Sequence, residues 1–241
     1  MGPTPYAIDI VDATTNQVIA DCGTGVTCAA SVAQTVHVAT THHYQALIET
    51  PRKSPIGRSP SLTAVQATST PQSVTWNPFA ITLAVSTTAP TAGITLTANA
   101  NFDVGATPWA IDIVDTTTPN STVLIGCGIG TTCTKTVAKP TSPHTYVAEI
   151  AKPNGSQIQA VSAPMTVQVV NGRITSKAAD GASFAIASST IAVDGHTLYG
   201  GVGNPKTLAD LNPGDCVVAA NLKRADGSLL ALSVLRQTTC P

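Results

Sequence analysis

Apolar and polar residues alternate in short runs along most of this chain, and clusters of Pro, Gly, Asn and Thr end the runs. Alternation with a period of two marks half-buried strands, because successive side chains leave a strand on opposite faces. In one stretch the runs predict strands at 79–86, 93–102, 109–115, 122–127, 132–137, 145–151 and 157–170. No long stretch carries a helical period. Short alternating strands with turn residues between them predict an all-β sandwich of immunoglobulin type.

The same pattern occurs earlier. "TPYAIDIVD" starts at Thr4 and "TPWAIDIVD" at Thr107, with Tyr6 in place of Trp109 as the one difference. Alternation puts Trp109, Ile111 and Ile113 on one face, and Ala110, Asp112 and Val114 on the other. A large aromatic on the third strand is the expected core plug, so Trp109 and Tyr6 are assigned that place. "HTYVAEI" and "HHYQALIE" put Tyr146 and Tyr44 on the sixth strand. The earlier copy continues with strands predicted at 6–12, 17–22, 26–32, 43–49 and 62–69, and lacks strands one and two.

That lack carries an energy. Two strands burying about three side chains each, at roughly 1.5–3 kcal/mol per side chain, remove on the order of 10 kcal/mol. A domain's whole net stability is about 5–15 kcal/mol. Three arrangements answer it. The chain belongs inside a longer array, residues 62–76 fold back to fill the gap, or another subunit donates strands through unpaired edges.

The order "[YW]-x-I-x-I-x-D … C-G-x-G-x-x-C … Y-x-A", carried by 6–46 and 109–148, resembles the immunoglobulin-like repeats of secreted and surface proteins of actinobacteria. After Val170 the repeat stops. The tail has Asp-Gly turns at Asp180, Asp194 and Asp226, each a hairpin signal between apolar alternations. Gly172, Ile174, Phe184, Ile186, Val193, Asp194, Thr197, Leu208 to Leu211, Gly214, Asp215, Val217, Asp226, Gly227, Leu229 and Ala231 follow an order that resembles a small bacterial domain of unknown function with an OB-like barrel. That resemblance implies a fold and an exported setting, and no catalytic set. The expected domains are 4–76, an incomplete repeat, 77–170, a complete one, and 171–241, the barrel.

Cysteine usage sharpens the compartment. Cys22 and Cys28 bracket "GTGVT", Cys127 and Cys133 bracket "GIGTT", and Cys216 and Cys240 lie in the tail. Identical C-x5-C spacings in one repeat frame argue for local disulfides and an oxidising compartment. A zinc site is the competitor, but this is not a usual zinc spacing and no second Cys or His pair stands at a fixed offset. Bridges closing such short loops are expected to pin hairpins, and Cys216–Cys240 to clamp the terminal strand onto the barrel.

Charged residues are only 10% of the 241 residues, with a net charge of -1 and a pI near 6.5. No basic patch is available for nucleic acid or an anionic membrane surface. No apolar run is long enough to cross a bilayer. No charged and apolar leader opens the chain, so an export signal is expected to have been removed.

Candidate chemistry is sparse. His37, His42, His43, His144 and His196 read as polar edge residues rather than metal ligands, because no carboxylate or thiol set converges on them. Asp9 and Asp112 are expected to be solvated, opposite the aromatic plug, and Asp12 and Asp115 to cap turns. The glycines of "CGTG" and "CGIG" have no helix after them, so they form no dinucleotide site, and no cofactor is expected. Lys135 and Lys139 could in principle form an isopeptide link to an Asn, but neither sits squarely in an apolar strand pattern, so no link is expected. Arg52, Lys53 and Arg58 read as an exposed, protease-sensitive loop.

The reading is a non-enzymatic extracellular structural or adhesion module, self-associating or joined to neighbouring repeats, assembling into a filament or coat by strand exchange. The alternatives are a glycan- or cell-wall-binding module, with Arg173, His196 and Tyr199 on the barrel as ligand residues, and a virion decoration or tail protein.

Overall fold

The computed structural model describes residues 6–23, 25–32, 39–50, 65–153 and 157–240. The described residues are almost wholly strand and turn, with two short 3-10 turns, Val104–Ala106 and Leu208–Asp210, and no α-helix. The chain divides into two compact units, Met1–Pro78 and Phe79–Pro241.

The first unit is one sheet. Its strands are β1 (Ala7–Asp12), β2 (Gln17–Asp21), β3 (Thr40–Glu49), β4 (Val65–Thr68) and β5 (Gln72–Trp76). They run in the order β2-β1-β3-β4, and β5 also pairs β3. Residues 65–76 therefore extend the edge of the sheet and add no second layer over it. Residues 62–64 of the expected fold-back lie outside the described residues. Residues 26–32, expected as a strand, have no strand pairing. A small cluster of Val11, Val18 and Leu47, with Val65 against it, packs one face.

The second unit contains a sandwich and a barrel. The sandwich strands are β6 (Ile81–Ser86), β7 (Ile94–Ala100), β8 (Ala110–Asp115), β9 (Thr122–Cys127), β10 (Thr132–Val137), β11 (His144–Ala151) and the short β12 (Ala160–Val161). One sheet runs β10-β7-β6. The other continues β13-β11-β8-β9, where β13 (Met165–Lys177) is the longest strand of the chain. Between the sheets lie Leu83, Ile94, Leu96, Trp109, Ile111, Ile113, Tyr146, Ile150 and Val167.

The barrel uses the far half of β13 with β14 (Ser183–Ile186), β15 (Ser189–Ala192), β17 (Cys216–Lys223) and β18 (Leu229–Gln237). β13 pairs β14, β14 pairs β15, β15 runs parallel to β18, β18 pairs β17, and β17 returns to β13. Five strands close in the order 1-2-3-5-4, which makes an OB-like barrel. Phe184, Ile186, Ile191, Leu211, Val217 and Val234 fill it. β16 (Leu198–Gly201) adds to β18 in parallel. The turns at Asp180 and Asp226 join hairpins as expected, each aspartate accepting a backbone N–H two residues on at 2.9 Å. The turn at Asp194 does not, because β16 pairs β18 rather than β15.

Residue 170, where the sandwich was expected to end, lies inside β13, which pairs β11 at its start and β14 at its end. One continuous strand thus belongs to both layers. Lys139 reinforces this join: its ammonium donates to the Pro90 carbonyl and, at 2.9 Å, to Ser233 Oγ on β18. Burial holds that ammonium below its ordinary pKa. Its partners are a carbonyl and a hydroxyl, not the amide an isopeptide link requires.

Candidate functional site

The two repeats share a strand register. In the second, Ile111 faces Ile150, Ile113 faces Ala148 and Asp115 faces Tyr146. In the first, Ile8 faces Ile48, Ile10 faces Ala46 and Asp12 faces Tyr44. Directly paired residues share a face. The face that forms the core of the second repeat is therefore carried in the first by Tyr6, Ile8, Ile10, Tyr44, Ala46 and Ile48. Val74 and Trp76 of β5 extend it, opposite His42 and Thr40.

This face is open. Ile48 is 40% exposed, Val74 37% and Tyr6 36%. Trp109, the counterpart of Tyr6, is 7% exposed, wedged edge-on to Phe79. Tyr6 is thus no core plug: the first unit has no second sheet among its described residues to close over it. Tyr44 is half-buried and hydrogen-bonded by Trp76, whereas Tyr146 is buried and its phenol is pushed up to about 12 by burial and the charge of Asp115.

The opposite face corrects a second expectation. Asp9 and Asp112 are 1% and 3% exposed, not solvated. Apolar neighbours share that face: Ala7 and Val11 beside Asp9, Ala110 and Val114 beside Asp112, all buried. Gly126 stands across from Asp112, and a Cβ there would meet its carboxylate at 2.6 Å. Burial raises the pKa of Asp112, and burial together with the Asp112 charge raises that of Glu149 opposite it.

The disulfides form as paired in the sequence, Cys22–Cys28, Cys127–Cys133 and Cys216–Cys240. Cys127–Cys133 does not pin a hairpin. β9 and β10 lie in different sheets, so the bridge fastens one layer of the sandwich to the other at the crossover. Cys28 occupies the same place in the first repeat, but the segment that holds it, 27–32, is irregular and largely exposed. Cys216–Cys240 ties the start of β17 to the residues just past β18, as expected.

A repeated cluster went unseen in the sequence. Asp12 Oδ2 lies 2.5 Å from His42 Nδ1, and Asp115 Oδ2 lies 2.7 Å from His144 Nδ1. Each imidazole stacks on the next-but-one tyrosine, Tyr44 or Tyr146, with ring centroids 6.1 Å apart. The other carboxylate oxygen caps the turn as predicted, taking the N–H of Thr14 or Thr117 at 2.9 Å. Burial pushes Asp12 and Asp115 up, but these hydrogen bonds outweigh it and hold both below the ordinary carboxylate range. The signal was present as D-x-T followed about thirty residues later by H-x-Y in each copy. His43 meets Ser73 at 2.9 Å, while His37, Arg52, Lys53 and Arg58 lie outside the described residues.

On the barrel, a cavity of ≈ 580 Å³ is lined by Lys177, Asp194, Thr197, Tyr199, Lys206 and Thr207 among others. Of the expected ligand residues it includes Tyr199. His196 sits exposed in the adjoining turn, and Arg173 is turned to the Gly214 carbonyl at 2.8 Å. Burial and Asp194 push the Tyr199 phenol up to about 12. Lys177 is engaged by the carbonyls of Leu208, Ala209 and Leu211. Among the described residues no group of three or more His, Cys, Asp or Glu is placed to hold a metal ion.

The chain matches no family model, no curated protein and no solved structure. No helix among the described residues is long and apolar enough to cross a membrane. Three disulfides fit an oxidising compartment.

Proposed function

We propose that this chain is a non-enzymatic extracellular structural module, and that it works by joining to other β-structure through its first repeat. The observation that carries the reading is the open face of β1 and β3. Tyr6, Ile8, Ile10, Tyr44, Ala46 and Ile48 form one continuous surface with the core pattern of a sandwich. A contiguous apolar patch of this kind marks an association surface. The disulfide-stapled, low-charge scaffold around it suits a secreted or surface-exposed position, in a filament, coat or chain of repeats. Light scattering after size exclusion tests it. The wild-type chain associates with itself or with neighbouring repeats, and Ile48→Lys abolishes association while the second unit stays folded. A monomer that binds no β-structured partner overturns the reading.

A second reading, glycan binding, rests on the barrel cavity with Tyr199 beside Lys177, Lys206 and Thr207. It requires retention on polysaccharide that falls on Tyr199→Ala.

A further inference from the structure

The open face is not featureless. In the second repeat the equivalent face is covered by three strands, β6, β7 and β10. The first repeat possesses the counterpart of the third of these. "CGTGVTCAASV" at 22–32 lines up with "CGIGTTCTKTV" at 127–137, so Cys28, Ala30 and Val32 stand where Cys133, Lys135 and Val137 stand on β10. In the second repeat this segment is a strand because β7 pairs with it, Thr132 to Asn99 through Val137 to Ile94. In the first repeat residues 27–32 have the sequence of that strand and no pairing, and Val32 is 37% exposed. What the described residues of the first unit lack is the β6–β7 hairpin alone.

We propose, building on the association reading above, that the open face and the 27–32 segment together are an acceptor for a two-stranded β-hairpin. The hairpin comes from a partner outside the chain's own second repeat. Among the described residues the chain holds two such faces and one such hairpin. Lending β6–β7 to a first repeat would strip the cover from Trp109, Ile111 and Ile113, so exchange between copies exposes as much core as it covers.

The register states what the hairpin must look like. Opposite Cys133 stands Ala98, fully buried, and at alternate positions stand Leu96 and Ile94, also fully buried. Next comes Gly93, where a Cβ would meet the Val137 carbonyl oxygen at 2.2 Å. The strand that pairs residues 27–32 therefore reads Gly-aliphatic-x-aliphatic-x-Ala, with the alanine facing Cys28 and the glycine passing Val32. Its companion strand repeats the aliphatic alternation of Ile81, Leu83 and Val85. Main-chain bonds supply the attachment and the alternate side chains supply the selectivity, as in other strand-addition complexes.

The test uses the full-length chain and a synthetic peptide of residues 79–102 as the donor hairpin. Hydrogen exchange of the amides at 27–32 and anisotropy of the labelled peptide are read together, beside light scattering of the chain alone. The expected result is saturable binding with at least tenfold slower exchange at 27–32. Binding weakens at least tenfold in Ile48→Lys and in Val74→Lys, and is lost for the peptide carrying Gly93→Val. If the peptide leaves 27–32 unprotected while the chain alone is a dimer that Ile48→Lys dissociates, the open faces stack on each other. The hairpin proposal then fails and the association reading stands. If the chain is a monomer and the peptide does not bind, both fail. Equal binding of the Gly93→Val peptide overturns the register.

Discussion

In the second repeat Ile111 and Ile150 meet across β8 and β11 beneath a three-stranded sheet, while Ile8 and Ile48 hold the same register in the open. Nearly identical segments, "AIDIVD" in both, thus end in different environments. The difference does not reside in strand propensity or in pairing, because both are the same. It resides in what lies over the face. Burial here is a property of topology: the same core pattern is closed where β6, β7 and β10 lie over it and open where no such sheet stands among the described residues. Even the aromatic at the head of the strand follows this division. Trp109 sits in a closed core, and Tyr6, with a polar end that water can satisfy, sits at an open one.

The largest expected separation comes from truncating those two aromatics. Trp109→Ala should cost about 3–5 kcal/mol in the unfolding of the second unit, the range for removing a buried large aromatic. Tyr6→Ala should cost under about 1 kcal/mol in the isolated chain, as surface substitutions do. Denaturant unfolding followed separately for the two units measures both. Equal losses would mean that Tyr6 is covered in solution, by self-association, and concentration dependence of the Tyr6→Ala effect would show it.

The disulfides give the next separation. In the chain-entropy picture each short loop contributes about 2 kcal/mol when the folded state holds its ends in place. Cys127–Cys133 joins two packed layers, so replacing both cysteines with serine should cost close to that figure. Cys22–Cys28 leads into the irregular 27–32 segment, which regains freedom in the folded state too, so its removal should cost less than half as much. Thermal unfolding of the two double variants distinguishes them. A donor hairpin bound to the first repeat should raise the Cys22–Cys28 value toward the other.

These contrasts also mark how far the sequence was legible. The alternation placed most strands correctly, since a half-buried strand repeats every two residues whatever covers it. The repeat, the disulfide partners and the Asp-Gly hairpins at 180 and 226 were readable from local pattern and spacing, whereas the barrel was expected only from the tail's resemblance to a known domain. Most of the failures were questions of what lies across space. Residues 26–32 have a strand's pattern but no strand pairing among the described residues. Tyr6 has a plug's position but no second sheet over it among the described residues. Asp112 looked solvated because it lies opposite Trp109, yet the apolar Ala110 and Val114 beside it already argued that this face is buried as well. The Asp–His–Tyr cluster needed the β1–β3 and β8–β11 registers, which bring residues some thirty positions apart side by side.

The smallest expected effect, and the one with two signs, is in pH. Asp115 is held below its ordinary pKa by Thr117 and His144 against the opposing pull of burial. Its contribution is therefore present above the unfolded carboxyl value of about 4 and is lost as pH falls through the folded value. Asp112 and Glu149 are raised by burial, so their contribution is full below about 4 and is lost as pH rises through their folded values. At neutral pH the two aspartates of one strand thus act in opposite directions. Asp115→Asn should destabilise the second unit by about 1 kcal/mol at pH 7, from its charge-assisted hydrogen bonds, and by less at pH 3. Asp112→Asn should stabilise it at pH 7 by a smaller amount and remove the loss of stability above about pH 4 that Asp112 carries. Asp12→Asn should repeat the Asp115 result in the first unit, because Asp12 is lowered by the same His and Thr partners. Unfolding free energies at pH 3, 5 and 7 settle the matter. An Asp12 variant with no pH-dependent loss would show that the Asp–His–Tyr cluster needs the closed sandwich around it to matter, and that the two repeats differ in more than their cover.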